Sequence, residues 1–255
     1  MGAERATGLL YGPSQAIGDT SETFGVKMKI GILQTGYAPD ALRPMYGDYP
    51  DLFAKLLDGQ GFTFKTYRVV DLEFPDSIAD CDGWLITGSR HGTYEDHAFI
   101  PPLEAFIRDC YAASVPMVGV CFGHQIIAQA MGGRVEKFAG GWSVGRTEYD
   151  FGGDILALNA WHQDQVVEKP DSATVCATSD FCANAALVYG TSMFTVQAHP
   201  EFSPAFVADM VEKRGRNLVP DPLLDRAAAA TADPIDNARL ASQIAAFFKK
   251  RELVS

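Results

Sequence analysis

Two textures of apolar and polar positions alternate along this chain. Short strand-like runs lie at 28–34, 62–69, 83–87 and 116–120. Between them, apolar positions recur at helical spacing: Leu42, Met45, Leu52, Phe53 and Leu56 within 42–57, an amphipathic stretch at 103–113, and Ile126, Ile127, Ala130 and Met131 after the fourth run. Period-free apolar runs suit strands buried on both faces, and the 3.6-residue spacing suits the helices that cover them. Strands separated by helices predict parallel βαβ units. From 134 to 195 the texture changes. Short pieces at 134–138, 144–149, 155–158, 164–167, 173–178, 185–189 and 193–197 are separated by Gly-Gly, Asp-Gln and Lys-Pro-Asp turns. They predict an antiparallel extension that returns to the sheet at Met193. A helix is expected over 203–214, with Ser203 as N-cap and Pro204 at the first helical position. Residues 216–234 hold three prolines and an alanine run and predict a surface excursion, followed by an amphipathic helix over 235–249. Residues 1–26 are rich in Gly, Ala, Ser and Thr without periodicity, so a loose tail is expected ahead of one domain, 27–255. The tail lacks the basic start and apolar core of a secretory leader.

Composition narrows the class. The 255 residues are 47% hydrophobic, enough to bury a substantial core and too apolar for a disordered chain. A formal net charge of −11 leaves no basic stripe to neutralise phosphates, so no nucleic-acid partner is expected. No apolar stretch approaches the ~18 residues of a membrane helix. The five cysteines, Cys81, Cys110, Cys121, Cys176 and Cys182, are odd in number and contain no C-x-x-C pair. A disulfide framework and a zinc site are therefore disfavoured, and a reducing cytoplasm is the expected setting. Four of the five read as inert thiols.

Cys121 is the exception. Residues 116–120 form an apolar run, the chain turns sharply at Cys121-Phe122-Gly123, and a helix follows. Strand, tight turn and helix build a nucleophile elbow, and Gly119-Val120-Cys121-Phe122-Gly123 is the sulfur version of its G-x-S-x-G pattern. The turn presents the sulfur at a helix N-terminus, where free N–H groups and the dipole favour a thiolate. Downstream, Phe194-Thr195-Val196-Gln197-Ala198-His199-Pro200-Glu201-Phe202 reads as a strand ending in a histidine and a carboxylate two residues apart, on one side of an extended chain. Nucleophile Cys121, base His199 and orienter Glu201 make a triad in cysteine form. By elbow geometry the N–H of Phe122 is one donor to an oxyanion.

These two stretches resemble the class I (triad) glutamine amidotransferases. The likeness runs from about 27 to 211 and rests on G-V-C-F-G-H-Q followed by Q-A-H-P-E-F. Within the family the chain is similar to stand-alone proteins like the glutaminase domain of GMP synthase, and to a plant-type γ-glutamyl peptidase branch. Further points of similarity are Met45-Tyr46-Gly47-Asp48-Tyr49, Thr87-Gly88-Ser89 and Trp161-His162-Gln163-Asp164. The resemblance implies a three-layer α/β/α sandwich around a mainly parallel, mixed sheet of flavodoxin-like build. It implies a second oxyanion donor from the Gly88-Ser89 loop, where Ser89 replaces the common second glycine. It also implies that Gln125 lies near bound glutamine and that His162 and Asp164 lie near the substrate's α-amino end, with Asp164 on the ammonium. His91, His97 and His124 lack paired acids or ligand spacing and read as loop or surface histidines, and Arg90 reads as a solvated loop residue in preference to a partner for a carboxylate.

The implied reaction is hydrolysis of the γ-amide of glutamine or of a γ-glutamyl compound through a γ-glutamyl thioester, with no cofactor and no metal. Leu33-Gln34-Thr35-Gly36-Tyr37 is no phosphate cradle, which argues against a flavodoxin-type cofactor binder. The stress-response and intracellular-protease group, a related cysteine-elbow fold, ordinarily carries His directly after the nucleophile, where this chain has Phe122. Three readings stay open: an amidotransferase passing ammonia to a separate synthetase, since this chain has no nucleotide loop to activate an acceptor; a stand-alone γ-glutamyl peptidase for glutathione-like peptides; and a catalytically silent binding or regulatory protein.

Overall fold

The structure, a computed structural model, describes Met1 and residues 27–253, so nearly all of the expected tail lies outside the described residues. The first strand, β1 (Met28–Leu33), is followed by two short helices, α1 (Arg43–Tyr46) and α2 (Tyr49–Leu56), where one helix over 42–57 was expected. The break has a local cause. Gly47 takes φ 80°, Asp48 caps the second helix by accepting from the Tyr49 N–H at 2.8 Å, and Asp51 reaches back to the Asp48 N–H at 2.8 Å. This reciprocal box starts a new helix and turns the chain.

There follow β2 (Phe62–Tyr67), β3 (Gly83–Ile86), α3 (Ile100–Ala112), β4 (Met117–Val120) and α4 (Phe122–Ala130), close to the expected bounds. Next come β5 (Arg134–Lys137), β6 (Ser143–Asp150), β7 (Ile155–His162), β8 (Asp164–Glu168), β9 (Thr174–Ala177), β10 (Ala186–Tyr189) and β11 (Met193–Val196). The last helices are α5 (Pro204–Met210), α6 (Asp221–Ala229) and α7 (Asn237–Lys250).

The central sheet runs β2-β1-β3-β4-β11-β10-β9. Its first five strands are parallel, and β10 and β9 add on antiparallel. One face packs under α2 and α7 through Phe53, Leu240, Ile244, Phe247 and Phe248. The other packs under α3 and α4 through Leu103, Ile107, Ile126 and Ile127. The result is a three-layer sandwich about a mixed sheet. The antiparallel extension differs from expectation in one respect. It does not wait until Met193 to rejoin the sheet, because β9 and β10 already belong to it, while β5 with β8 and β6 with β7 form two separate ribbons.

Two downstream expectations are corrected. The helix expected over 203–214 is α-helical only to Met210 and then widens into a π-helical turn, Val211–Gly215. The supposed surface excursion at 216–234 contains α6, which buries Leu224 and Ala227 in a third apolar cluster with Leu42, Leu52, Phe202 and Phe206. Its prolines do not break a helix, since Pro220 and Pro222 flank the first helical position, where a missing N–H costs nothing. Among the described residues no helix is long and apolar enough to cross a membrane.

Candidate active site

Strands β3, β4 and β11 are parallel neighbours, so their C-terminal ends meet at one edge. Cys121 follows β4, Gly88 and Ser89 follow β3, and His199 and Glu201 follow β11. At the elbow Cys121 adopts φ 52°, ψ −104°, a region that residues with side chains rarely occupy. Its N–H donates to the Val196 carbonyl at 2.9 Å, and its carbonyl accepts from the Gln125 N–H at 3.0 Å. The flanking glycines are needed for space. A Cβ on Gly119 would run into the Gly123 carbonyl, and one on Gly123 into the Ile86 carbonyl of β3.

His199 is buried, and its Nδ1 lies 2.7 Å from Glu201 Oε1, also buried. His199 meets the Cys121 side chain over Gly88, where a Cβ would lie 2.9 Å from His199 Cε1 and 3.7 Å from Cys121 Cβ. Burial alone would lower the His199 pKa, but negative charge on Glu201 and on Cys121 outweighs it and raises the pKa well above the ordinary histidine value. Phe202 stacks flat on the imidazole, with centroids 4.0 Å apart and planes within 3°. Asn159 fixes the turn that carries both: its carbonyl accepts from the His199 N–H at 2.8 Å and its Nδ2 donates to the Phe202 carbonyl at 2.9 Å. Sequence reasoning assigned nothing to Asn159. Its partner is 40 residues away across an isolated bridge, a pairing no local pattern displays.

Gly88 packs so closely under the imidazole that a Cβ there would sit 2.9 Å from His199 Cε1. Ser89 does not have a positive φ, so its backbone needs no glycine. Its hydroxyl donates to the Thr35 carbonyl at 2.8 Å and accepts from the His91 N–H at 3.2 Å, pinning the loop. The backbone N–H groups of Ser89 and Phe122 have no partner among the described residues.

The three residues expected near the substrate, Gln125, His162 and Asp164, meet at the carbonyl of Asp164. Gln125 Nε2 donates to it at 2.9 Å and to Gln197 Oε1 at 3.1 Å, and His162 Nδ1 lies 3.2 Å from it. A carbonyl accepts, so His162 carries its proton on Nδ1 and leaves a lone pair on the buried, unpartnered Nε2. Burial, reinforced by the charge of His199, lowers the His162 pKa to about 3, so the ring is neutral. The Asp164 carboxyl is pushed up by burial, with the Tyr94 hydroxyl, 3.1 Å away, and Lys137 opposing.

Cys121, Gln125, His162, Asp164 and His199, with Ser89, line a cleft of about 810 Å³. Five cations, Arg43, Arg90, Lys137, Lys213 and Arg214, also line it. Arg43 pairs with Asp40, and Lys213 with Asp209 at 3.0 Å, whereas Arg90, Lys137 and Arg214 make no ion pair among the described residues. Arg90 is therefore a cleft residue as well as a loop residue.

The other histidines depart from expectation. His124 is fully buried, with Nδ1 2.8 Å from Thr195 Oγ1, and burial lowers its pKa to about 3. His91 and His97 share an acid, Glu95, at 3.8 Å and 2.7 Å. The remaining cysteines are free thiols, and burial pushes Cys110, Cys176 and Cys182 up to about 12, as suits inert packing.

A family profile described as glutamine amidotransferase class-I matches residues 60–213. The chain is 29% identical over 189 residues to γ-glutamyl peptidase 3 of Arabidopsis thaliana, covering 68% of this chain and 76% of that protein. It is 38% identical over 169 residues to a subunit of the glutamine-hydrolyzing GMP synthase of Methanopyrus kandleri, covering 61% of this chain and 85% of that one. A solved glutamine amido transferase from Methylobacillus flagellatus superposes with a TM-score of 0.67 at 23% identity, over 90% of this chain and 97% of that one, a likeness of fold.

Proposed function

The chain belongs to the class I glutamine amidotransferase family, and from that premise we propose that it hydrolyses the γ-amide of glutamine or a γ-glutamyl compound, with Cys121, His199 and Glu201 as the catalytic triad. The observation that carries this reading is the position of the His199 imidazole, bonded to Glu201 at 2.7 Å and lying with the Cys121 side chain over Gly88, at an edge rimmed by amide donors. His199 takes the thiol proton of Cys121, and the resulting thiolate attacks the γ-carbonyl carbon. The carbonyl π pair moves to oxygen, which the N–H groups of Phe122 and the Gly88-Ser89 loop receive. His199 gives its proton to the departing nitrogen, and ammonia or an amine leaves a γ-glutamyl thioester. Water, deprotonated by His199, then attacks the thioester, and sulfur departs as thiolate with release of glutamate. Glu201 holds the imidazole and stabilises its protonated form. The substrate's α-ammonium sits by the Asp164 carboxylate and the His162 Nε2 lone pair, with Gln125 holding that corner in place. The route uses the chain and water alone, and it needs a reduced Cys121, which a reducing cytoplasm supplies.

Two observations favour a peptide as the γ-glutamyl donor. Relatives are named γ-glutamyl peptidases. Three cations without ion-pair partners among the described residues also line the cleft, more than the single carboxylate of free glutamine requires. Relatives named as subunits of glutamine-hydrolyzing GMP synthases favour instead the release of ammonia to a separate synthetase.

The test uses the full chain with glutamine and, separately, glutathione, following ammonia, glutamate and cysteinylglycine. Glutathione cleavage selects the peptidase, and glutamine turnover that rises when a synthetase is added selects the amidotransferase. A Cys121→Ala chain with undiminished turnover would remove the proposed nucleophile. A wild-type chain inert to both substrates and to an electrophilic glutamine analogue would leave the silent-protein reading.

A further inference from the structure

On the lip of the same cleft, on the loop between β3 and α3, stand His91, Glu95 and His97. The chain turns back at Gly92, where the Glu95 N–H donates to the Gly92 carbonyl at 3.2 Å, and the His97 N–H donates to the Glu95 carbonyl at 3.0 Å. The turns bring two imidazoles from different positions of the loop onto one Glu95 carboxylate oxygen. His97 Nε2 lies 2.7 Å from Glu95 Oε2 and His91 Nδ1 lies 3.8 Å from it. One ligand atom from each of the three falls within 4.8 Å of every other.

We propose that His91, Glu95 and His97 form a divalent-metal site that takes an ion of the zinc class through two imidazole nitrogens and one carboxylate oxygen. The distances suit this class. An ion about 2.0–2.1 Å from each donor in tetrahedral geometry spaces the donors by roughly 3.3 Å. The observed 2.7 Å and 3.8 Å bracket that spacing, and the two imidazole nitrogens lie within 4.8 Å of each other, so side-chain adjustment alone seats the ion. The donor set is that of borderline cations: imidazole with carboxylate suits zinc or cobalt better than calcium or magnesium, which take all-oxygen shells.

The imidazoles are also backed. His97 stacks on Phe99 at 5.7 Å and 18°, and His91 meets the same ring at 6.0 Å and 60°. Phe99 is buried and packs 6.0 Å from Phe122, the residue after Cys121. His91 also donates through its backbone N–H to the Ser89 hydroxyl. An ion held here therefore braces the loop that presents Ser89, from outside the triad. Three protein donors leave a fourth position, and His91 and Glu95 both line the cleft, so that position opens toward bound substrate. Local sequence holds no hint of this, because i, i+4 and i, i+6 spacing in a loop fixes no geometry. Without an ion, the alternative is a plain Glu95–His97 hydrogen bond with His91 as a bystander.

The test separates this site from Cys121, itself a metal ligand as a thiolate. An untagged Cys121→Ala chain is titrated with Co²⁺, followed by visible absorption, and with Zn²⁺, followed by calorimetry. One ion per chain is expected, without the thiolate charge-transfer bands of a cysteine ligand. Adding His97→Ala or, separately, Glu95→Gln should weaken binding by at least the 10–100-fold that loss of an outer-shell partner costs. Zn²⁺ should raise the thermal midpoint of the Cys121→Ala chain and leave both double variants unmoved. Absence of binding to the Cys121→Ala chain, or unchanged affinity in either double variant, overturns the proposal. Both substitutions lie on a surface loop, and unfolding midpoints in the absence of metal show whether each variant is folded. Because the readout is binding, it stands or falls independently of the hydrolase reading.

Discussion

At Cys121 the backbone is held where only glycine sits comfortably, φ 52° and ψ −104°. Such a conformation persists when its surroundings over-determine it, and here the hydrogen bonds to Val196 and Gln125 do so on either side. Removing the Cβ should therefore relieve strain. A Cys121→Gly chain is expected to be more stable than Cys121→Ala by about 1 kcal/mol, although its side chain is smaller, because strain of this kind costs on the order of 1–3 kcal/mol. Urea unfolding of the two variants checks this, and a glycine variant less stable than the alanine one would show the elbow to be unstrained. The residues proposed as the triad stand out in the sequence because each lies in a motif with a chemical reason: sulfur at a strand-to-helix turn, imidazole and carboxylate at the end of another strand. His124 was misread because being three residues beyond the sulfur says nothing of burial. Its neutral, buried state carries a pH signature. The unfolded chain takes a proton there below about 6.5, whereas the folded chain waits until about 3. Stability should therefore fall with acidification between these values, with a slope of up to about 1.4 kcal/mol per pH unit from this group. His124→Asn, which keeps a polar partner for Thr195 and does not titrate, should show a shallower decline in chemical-denaturation free energy from pH 6.5 to pH 4. Parallel declines in the two chains would mean that His124 titrates normally.

At the scale of elements, the helix after the elbow explains why that histidine is buried. Residues Phe122–Ala128 of α4 are all buried, because the sheet covers one side while α3 and the chain around β5 and β8 close the others. A helix buried all round has no polar face to betray its orientation. Two glycine substitutions separate packing from chemistry at this junction. A Cβ on Gly123 would collide with the β3 backbone, which cannot give way as a side chain does, so Gly123→Ala should destabilise the fold by about 1–3 kcal/mol or more. A Cβ on Gly88 meets only the edge of the His199 ring, 2.9 Å away. Gly88→Ala should leave the melting temperature nearly unchanged and lower kcat by one to two orders of magnitude, roughly the cost of a small misplacement of a reacting group. Equal losses of stability in the two variants would refute this division. The same scale shows what the apolar pattern conceals. Strands buried on both faces announced themselves, but the break between α1 and α2 depends on Gly47 and the Asp48–Asp51 box. Helix α6 hid behind prolines that, at a helix start, favour the helix they were expected to forbid.

Over the whole molecule, the uneven distribution of charge is the feature that composition could not reveal. A chain with a formal net charge of −11 gathers Arg90, Lys137 and Arg214, without ion-pair partners among the described residues, around the mouth of its cleft. They come from the β3–α3 loop, the end of β5 and the π-helical turn after α5, so no window of sequence holds them together. Asp40, Glu95 and Asp164 line the same cleft, so the five cations there leave a modest positive excess that favours anions in an otherwise acidic protein, each exposed cation contributing in a salt-dependent way. On the peptidase reading, these side chains meet the carboxylates that a γ-glutamyl peptide has beyond its glutamyl end. Lys137→Gln and Arg214→Gln should then raise KM for glutathione several-fold, about 0.5–1 kcal/mol each for exposed pairs, while KM for glutamine changes much less. Added salt should weaken wild-type turnover of glutathione at low substrate concentration and affect the double variant little. If both substrates lose equally, the cations serve the shared γ-glutamyl end. If neither loses, while a synthetase partner's stimulation of glutamine turnover falls in the variants, the positive mouth is instead the docking face for that partner, and the chain works as an ammonia supplier.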